Sequence, residues 1–501
     1  MLQPRTTAAL LFTLGIACAA QACSAPAAPD PTTSASSSAS TGVAWGSGGS
    51  GGSGGRTSGA GGEVTAGTGG GLPGECQAPL IPGGAAAGSG FSLKWTADLG
   101  ATPDAIGPLS VATDSEGNTF VLGTFLGALD LGSGVTLDLP GAPGGYLAKF
   151  SPTGQALWAR QAPLLGDAVF TDASGSIWVN DETGKRTATR YDASGTAVWS
   201  KSFMTLGPIK IVPSGGGSAI LADAFFEPQL DYGTGTIKRS TGVNRDVFMI
   251  KVDATGGVLW GRALGEQVWP GLLASDAAHT IEIEASAPAP DGGMMLLVET
   301  YIFSGMTTGL LLRLDGSGNV VWKRSLPSIL HDASPRLVVD AAGNSLITLS
   351  VGDSGADLGC GELQYGLALA MTNADGKPRW TRYFQTFNGP VKPSFDPSGN
   401  ILLAGEFRDP IDLGGGILSS GGAPTVARLT VAKLSPNGEH LASRALGTNI
   451  APDDRTLFID SAVNAEGDLL VALSYQGSLD LGGGPLPASP TLVGRLARFT
   501  P

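Results

Sequence analysis

From Phe91 onward, apolar and polar residues alternate with period two in short runs, the pattern of strands that pack one face. The clearest unit is a run, a turn of the form Asp-x-x-Gly, and a strand carrying Trp. Leu147-Ala148-Lys149-Phe150 leads to Trp158, Thr189-Arg190-Tyr191-Asp192 to Trp199, and Met249-Ile250-Lys251-Val252 to Trp260. Leu312-Arg313-Leu314-Asp315 leads to Trp322 and Ala370-Met371-Thr372-Asn373 to Trp380. In a sixth copy, Ala432-Lys433-Leu434-Ser435, Leu441 stands where the Trp is expected. In such turns the carboxylate accepts backbone N–H bonds while Gly takes a positive φ.

A second hairpin precedes each of these, as in Val111 to Gly123, Val338 to Ile347, Phe395 to Leu403 and Ala462 to Val471. Two hairpins per unit predict a four-stranded antiparallel sheet. The array begins with a Trp strand, Ser92-Leu93-Lys94-Trp95, that has no hairpin before it, and ends at Leu496-Ala497-Arg498-Phe499, a third strand with no Trp strand after it. Each end lacks what the other has. The predicted fold is therefore all-β: a seven-bladed β-propeller of four-stranded blades, closed by the N-terminal strand, over residues 91–501. Closure removes the edges that an open stack would expose. The Trp158–Trp199 interval is close to the roughly 40 residues of a minimal blade, so the longer units carry insertions.

The first 90 residues follow different rules. Arg5 precedes an apolar stretch, Ala8 to Ala20, too short to span a bilayer and suited to a signal-peptide core. Residues 1–22 read as a signal peptide. Ala20-Gln21-Ala22 before Cys23 resembles a bacterial lipobox, with Ala20 where Leu is usual, and makes Cys23 the candidate lipid-attachment site. If Cys23 is acylated, Cys76 and Cys360 remain as an even pair that can oxidise outside the cytoplasm. Whether they are close enough to bond cannot be read from spacing.

Residues 23–90 read as a low-complexity, disordered tether. Of the 51 residues from Ser24 to Gly74, 44 are Gly, Ser, Thr, Ala or Pro, too few apolar groups to offset chain entropy. Its root-mean-square span is about 40 Å. Gly48–Gly52 matches GxSxG and Gly69–Gly74 matches GxGxxG, but neither lies between a strand and a helix, where those chemistries operate.

Composition narrows the functions. Gly occupies 77 positions, and the formal charge is −13 with no basic cluster, so nucleic acid and anionic membrane are poor partners. The Asp-Leu-Gly-Gly-Gly insertions, the Leu-Ala-Lys-Phe strand and the Leu-Trp that follows resemble the repeat of bacterial extracytoplasmic β-propeller proteins of the SBBP type, frequent among myxobacterial lipoproteins. The resemblance implies the fold and a surface location and brings no activity with it.

Three sets of residues are site candidates. Trp95, Trp158, Trp199, Trp260, Trp322 and Trp380 read as packing between blades, although Asp-x-x-Gly-x-x-x-Trp also resembles the tryptophan-docking motif of quinoprotein propellers. Asp130, Asp231, Asp357, Asp412 and Asp480 each open an Asp-x-Gly-x-Gly insertion. They read as caps of Gly turns, with a ring of calcium- or sugar-binding carboxylates as the alternative; each motif offers one carboxylate where calcium wants several oxygens. His331-Asp332 and His440 read as loop residues, the latter exposed. No catalytic residue and no cofactor are expected.

The insertions and inter-blade connections, including Leu264 to Ala287 with Trp269 and His279, share one end of the ring, where loops on a rigid scaffold favour binding. The sequence thus predicts a monomeric, non-enzymatic scaffold, lipid-anchored at the outer membrane or cell surface or else secreted, binding a protein or glycan at that end. Its alternatives are an envelope assembly scaffold and a sugar-active enzyme.

Overall fold

The computed structural model describes Cys76 and residues 90–501, apart from short stretches at 101–107, 164–165, 182–185, 206–208, 271–278, 303–306, 327–334, 353–354, 364–365, 385–390, 408–410, 419–427 and 447–454. All of these belong to one compact unit, Thr65–Pro501. The segments read as signal peptide and tether, other than Cys76 and Gly90, lie outside the described residues, as do Cys23 and His331-Asp332.

The alternating runs are strands, and five sheets form by consecutive antiparallel pairing of a first, second, third and outer strand. Pro108–Thr113, Thr119–Asp130, Thr136–Phe150 and Ala156–Ala162 make one such blade, and Gly166–Thr171, Ile177–Asp181, Arg186–Tyr191 and Ala197–Phe203 the next. Arg336–Val339 to Pro378–Phe384 and Val391–Phe395 to His440–Leu446 make two more. In the fifth, Arg455–Val463, Leu469–Gly477 and Ser489–Thr500 are completed by the N-terminal strand Ser92–Asp98, with Ser92 paired to Thr500 and Asp98 to Arg495.

The expectation of seven separate four-stranded blades is corrected here. The structure has five four-stranded blades; between Lys210 and Leu326 eight strands form a single sheet, and Gln229–Asp231 with Thr236–Lys238 form a separate hairpin. Strand Val243–Val252 begins beyond the end of its partner Ser218–Phe225, and its free edge pairs in parallel with the next first strand, Val243 with His279 and Arg245 with Thr280. A connection expected to be a loop from Leu264 to Ala287 is therefore partly ordered, as the short helix Gly265–Val268 and the strand His279–Pro288.

Apolar cores lie between neighbouring sheets. Leu469, Val471 and Phe499 of the closing blade, for instance, pack on Leu402, Val431 and Ala442 of the blade before it. First strands contact one another in a closed circuit around the axis, with Arg455–Val463 against Pro108–Thr113. Side chains reinforce that circuit. The Asp460 carboxylate receives Lys392 Nζ at 2.9 Å, Ser110 Oγ at 2.8 Å and the Val111 amide at 3.0 Å, and Ser110 Oγ accepts the Val169 amide at 3.2 Å. One buried chain thus ties four successive first strands, leaving each polar group bonded.

Candidate functional site

The six tryptophans occupy the same place in their outer strands, each beneath the Gly of the following third-to-outer turn. A Cβ added at Gly154, Gly195, Gly256, Gly318, Gly376 or Gly438 would meet Trp95, Trp158, Trp199, Trp260, Trp322 or Trp380 at 2.6 to 3.2 Å. Four indoles also donate Nε1–H into that turn: Trp95 to Pro152 O, Trp260 to Gly316 O, Trp322 to Ala374 O and Trp380 to Pro436 O, at 2.9 to 3.2 Å.

The position without Trp is displaced by one residue from the sequence expectation. Each outer strand carries a bulge, so that Lys149 pairs Trp158 and Arg313 pairs Trp322; by the same register Lys433 pairs Ala442, not Leu441. Leu441 is exposed, and Ala442 is buried beneath Gly90, whose added Cβ would lie 2.5 Å away. His440, expected exposed, is 4% exposed with Nε2 2.9 Å from Ser443 Oγ; the bulge turns it inward.

The five acidic Gly motifs sit in separate insertions. Asp130 and Asp231 each accept one amide, from Gly132 and Gly233, at 2.8 Å. Asp357, Asp412 and Asp480 each accept two, from the first and second Gly of their motif, at 2.7 to 3.1 Å. Leu131, Leu358, Leu413 and Leu481 beside them are buried, so each insertion folds back as a small wedge on the sheet edge. Among the described residues, no three His, Cys, Asp or Glu side chains gather in a way that could hold a metal ion.

The structure joins Cys76 to Cys360 in a disulfide with Cα atoms 5.5 Å apart. Where the ring closes, Asp468 receives Lys94 Nζ from the N-terminal strand and Arg498 Nε from the C-terminal one, both at 2.8 Å. Burial alone would raise the Asp468 pKa, but these two cations outweigh it and hold the carboxyl below its usual range.

A further group gathers at the insertion end of the eight-stranded sheet. Glu282 and Glu299 face each other directly across neighbouring strands, an arrangement of like charges that costs stability unless neighbours compensate. Arg245, brought in by the parallel pairing, forms an ion pair with Glu282, and the Tyr301 hydroxyl donates to Glu299 Oε2 at 2.9 Å. Burial, that bond and the charges of Glu299 and Glu284 push the Tyr301 phenol well above its ordinary value. On the opposite face of these strands Trp269 and His279 stack edge to face, ring centres 4.7 Å apart. Glu299 is 2% exposed, while Arg245, Glu282, Glu284, Tyr301, His279 and Trp269 are partly open to solvent.

Sequence reading named Trp269 and His279 on this end and missed the carboxylates and Tyr301. The available signal was the charged tail Glu299-Thr300-Tyr301 on the otherwise apolar Met294–Val298 run.

No protein-family profile matches the chain, and no curated protein matches it in sequence. Solved structures do resemble it. A protein of unknown function from Dyadobacter fermentans is 11% identical, with 82% of this chain and 99% of that one covered, at a TM-score of 0.38. A DUF4221-family protein from Bacteroides vulgatus is 9% identical over 82% and 97%, at 0.35. A catalytically inactive virginiamycin B lyase from Staphylococcus aureus with quinupristin is 8% identical over 82% and 99%, at 0.38. At this level none of them transfers an activity, and the chain stands as an all-β propeller whose function must be argued from its own residues.

Proposed function

We propose that the protein is an extracytoplasmic binding propeller, tethered through an acylated Cys23 and acting without catalysis, that takes a glycan at the insertion end of its eight-stranded sheet. The observation that carries this reading is the opposed pair Glu282 and Glu299, kept together by Arg245 and Tyr301. Carboxylates accept hydrogen bonds from sugar hydroxyls, and the Tyr301 ring on the same face offers an apolar surface to a pyranose. The Tyr301 hydroxyl, spent on Glu299 Oε2, holds that carboxylate in place opposite Glu282. The bridged cysteines fit an oxidising compartment.

A glycan array probed with the soluble domain tests the reading. Binding that falls at least tenfold in Glu282→Gln and in Tyr301→Ala, with thermal midpoints retained, supports it. An array without hits, or hits unaffected by both substitutions, overturns it; turnover of a bound glycan would move the protein among the sugar-active enzymes.

A further inference from the structure

We propose that the Cys76–Cys360 bridge carries load: tension arriving along residues 23–75 is delivered to the insertion around Cys360 and bypasses the strand that closes the ring. The inference is independent of any ligand.

The closing strand is badly placed to bear tension. Ser92 pairs with Thr500 and Leu93 with Phe499, so the first and last strands of the ring lie side by side at these ends. A pull entering at Ser92 against one at Thr500 opens that ladder one pair at a time, starting from its end, and the strand has no second neighbour on its outer edge. The Lys94–Asp468 contact then breaks as an early step.

The bridge changes the point of entry. Force on residues before Cys76 crosses the sulfurs to Cys360, and the chain from there to Phe91 is left out of the path. Cys360 is braced. It lies between Gly359 and Gly361, whose amides both bond Asp357 Oδ1 at 2.7 and 3.1 Å. Its hairpin, Ala356–Asp357 with Glu362–Leu363, buries Leu358 and Leu363, and the Leu358 carbonyl accepts the Arg324 guanidinium of the neighbouring sheet. With the bridge in place, a pull between the tether and the C-terminus must draw Ser489–Thr500 from between two strands, Ser92–Asp98 and Leu469–Gly477, breaking two ladders together.

The test is optical-tweezers unfolding of the full chain with handles at the start of the tether and at the C-terminus, before and after dithiothreitol, and of Cys76→Ser. The bridge spans 284 residues, so the oxidised protein should release about 1,000 Å less contour length than the reduced one. The expected result is that reduction adds this length and also brings in a low-force first rupture, which Cys76→Ser shows without reductant. Equal total lengths before and after reduction would remove the bridge and the proposal together. A length difference with identical first-rupture forces would keep the bridge and overturn its mechanical task.

Discussion

The α-carbon of Gly318 rests on the ring of Trp260, where a methyl group added to the glycine would stand 2.6 Å from Cη2. Indole and turn belong to successive groups of strands, so the contact couples one outer strand to the turn that follows it. The Trp260 indole Nε1–H, donating to Gly316 O in that same turn, fixes the approach. Two costs therefore attach to Gly318: a left-handed backbone, φ 76°, and the absence of room.

Gly318→Ala is expected to destabilise by about 2 to 4 kcal/mol, adding overpacking to the positive-φ cost. Gly127→Ala, at φ 75° with nothing within 4 Å, should lose only the backbone part, about 1 kcal/mol. Urea denaturation of both checks the difference; equal losses would mean that the indole yields freely.

Acid should loosen the ring at its closure first. The Asp468 carboxyl is held below its usual range in the folded protein, so its contribution is complete above the ordinary unfolded value, about 3.9, and is lost as pH falls through the folded one. Hydrogen exchange at Leu93 to Ala97 should accelerate over that window. Asp468→Asn should exchange faster at neutral pH and lose that pH dependence.

Tyr146 presents the opposite case. Its hydroxyl is fully buried against Gly123 with no hydrogen-bond partner among the described residues, and burial pushes its pKa up. Tyr146→Phe removes an uncompensated desolvation cost and should be neutral or stabilising by up to about 1 to 2 kcal/mol. A loss above about 1 kcal/mol in thermal melts would reveal a partner for the phenol.

The acidic Gly insertions should behave as turns. Asp412→Ala frees the amides of Gly414 and Gly416 and should cost about 1 kcal/mol, while calcium chloride leaves the melting midpoint of both proteins unchanged. A calcium-dependent rise that disappears in Asp412→Ala would make the insertion a cation site.

Much of the ring was legible because its signals are local. Asp114, Asp340 and Asp396 accept the amides two and four residues ahead, as an Asx turn dictates, and the incomplete ends at Trp95 and Phe499 do complete one blade. Offsets hid the rest. The outer-strand bulge shifts the register by one, which is why Leu441 reads as the Trp position and Ala442 fills it. The joined sheet depends on Val243 meeting His279 across a connection whose path no residue pattern encodes. Glu282 and Glu299 are 17 positions apart in sequence and meet only through the strand register.

Every tryptophan contact points the same way around the ring, from an outer strand to the turn that follows. A unit therefore carries one half of two different contacts: an indole for its successor and a glycine for its predecessor. Copying a unit within the gene copies both halves, and the duplicate fits between its neighbours with no new complementarity to invent. Growth by tandem duplication is built into that directionality, and nothing in the contact itself counts how many units the circle holds.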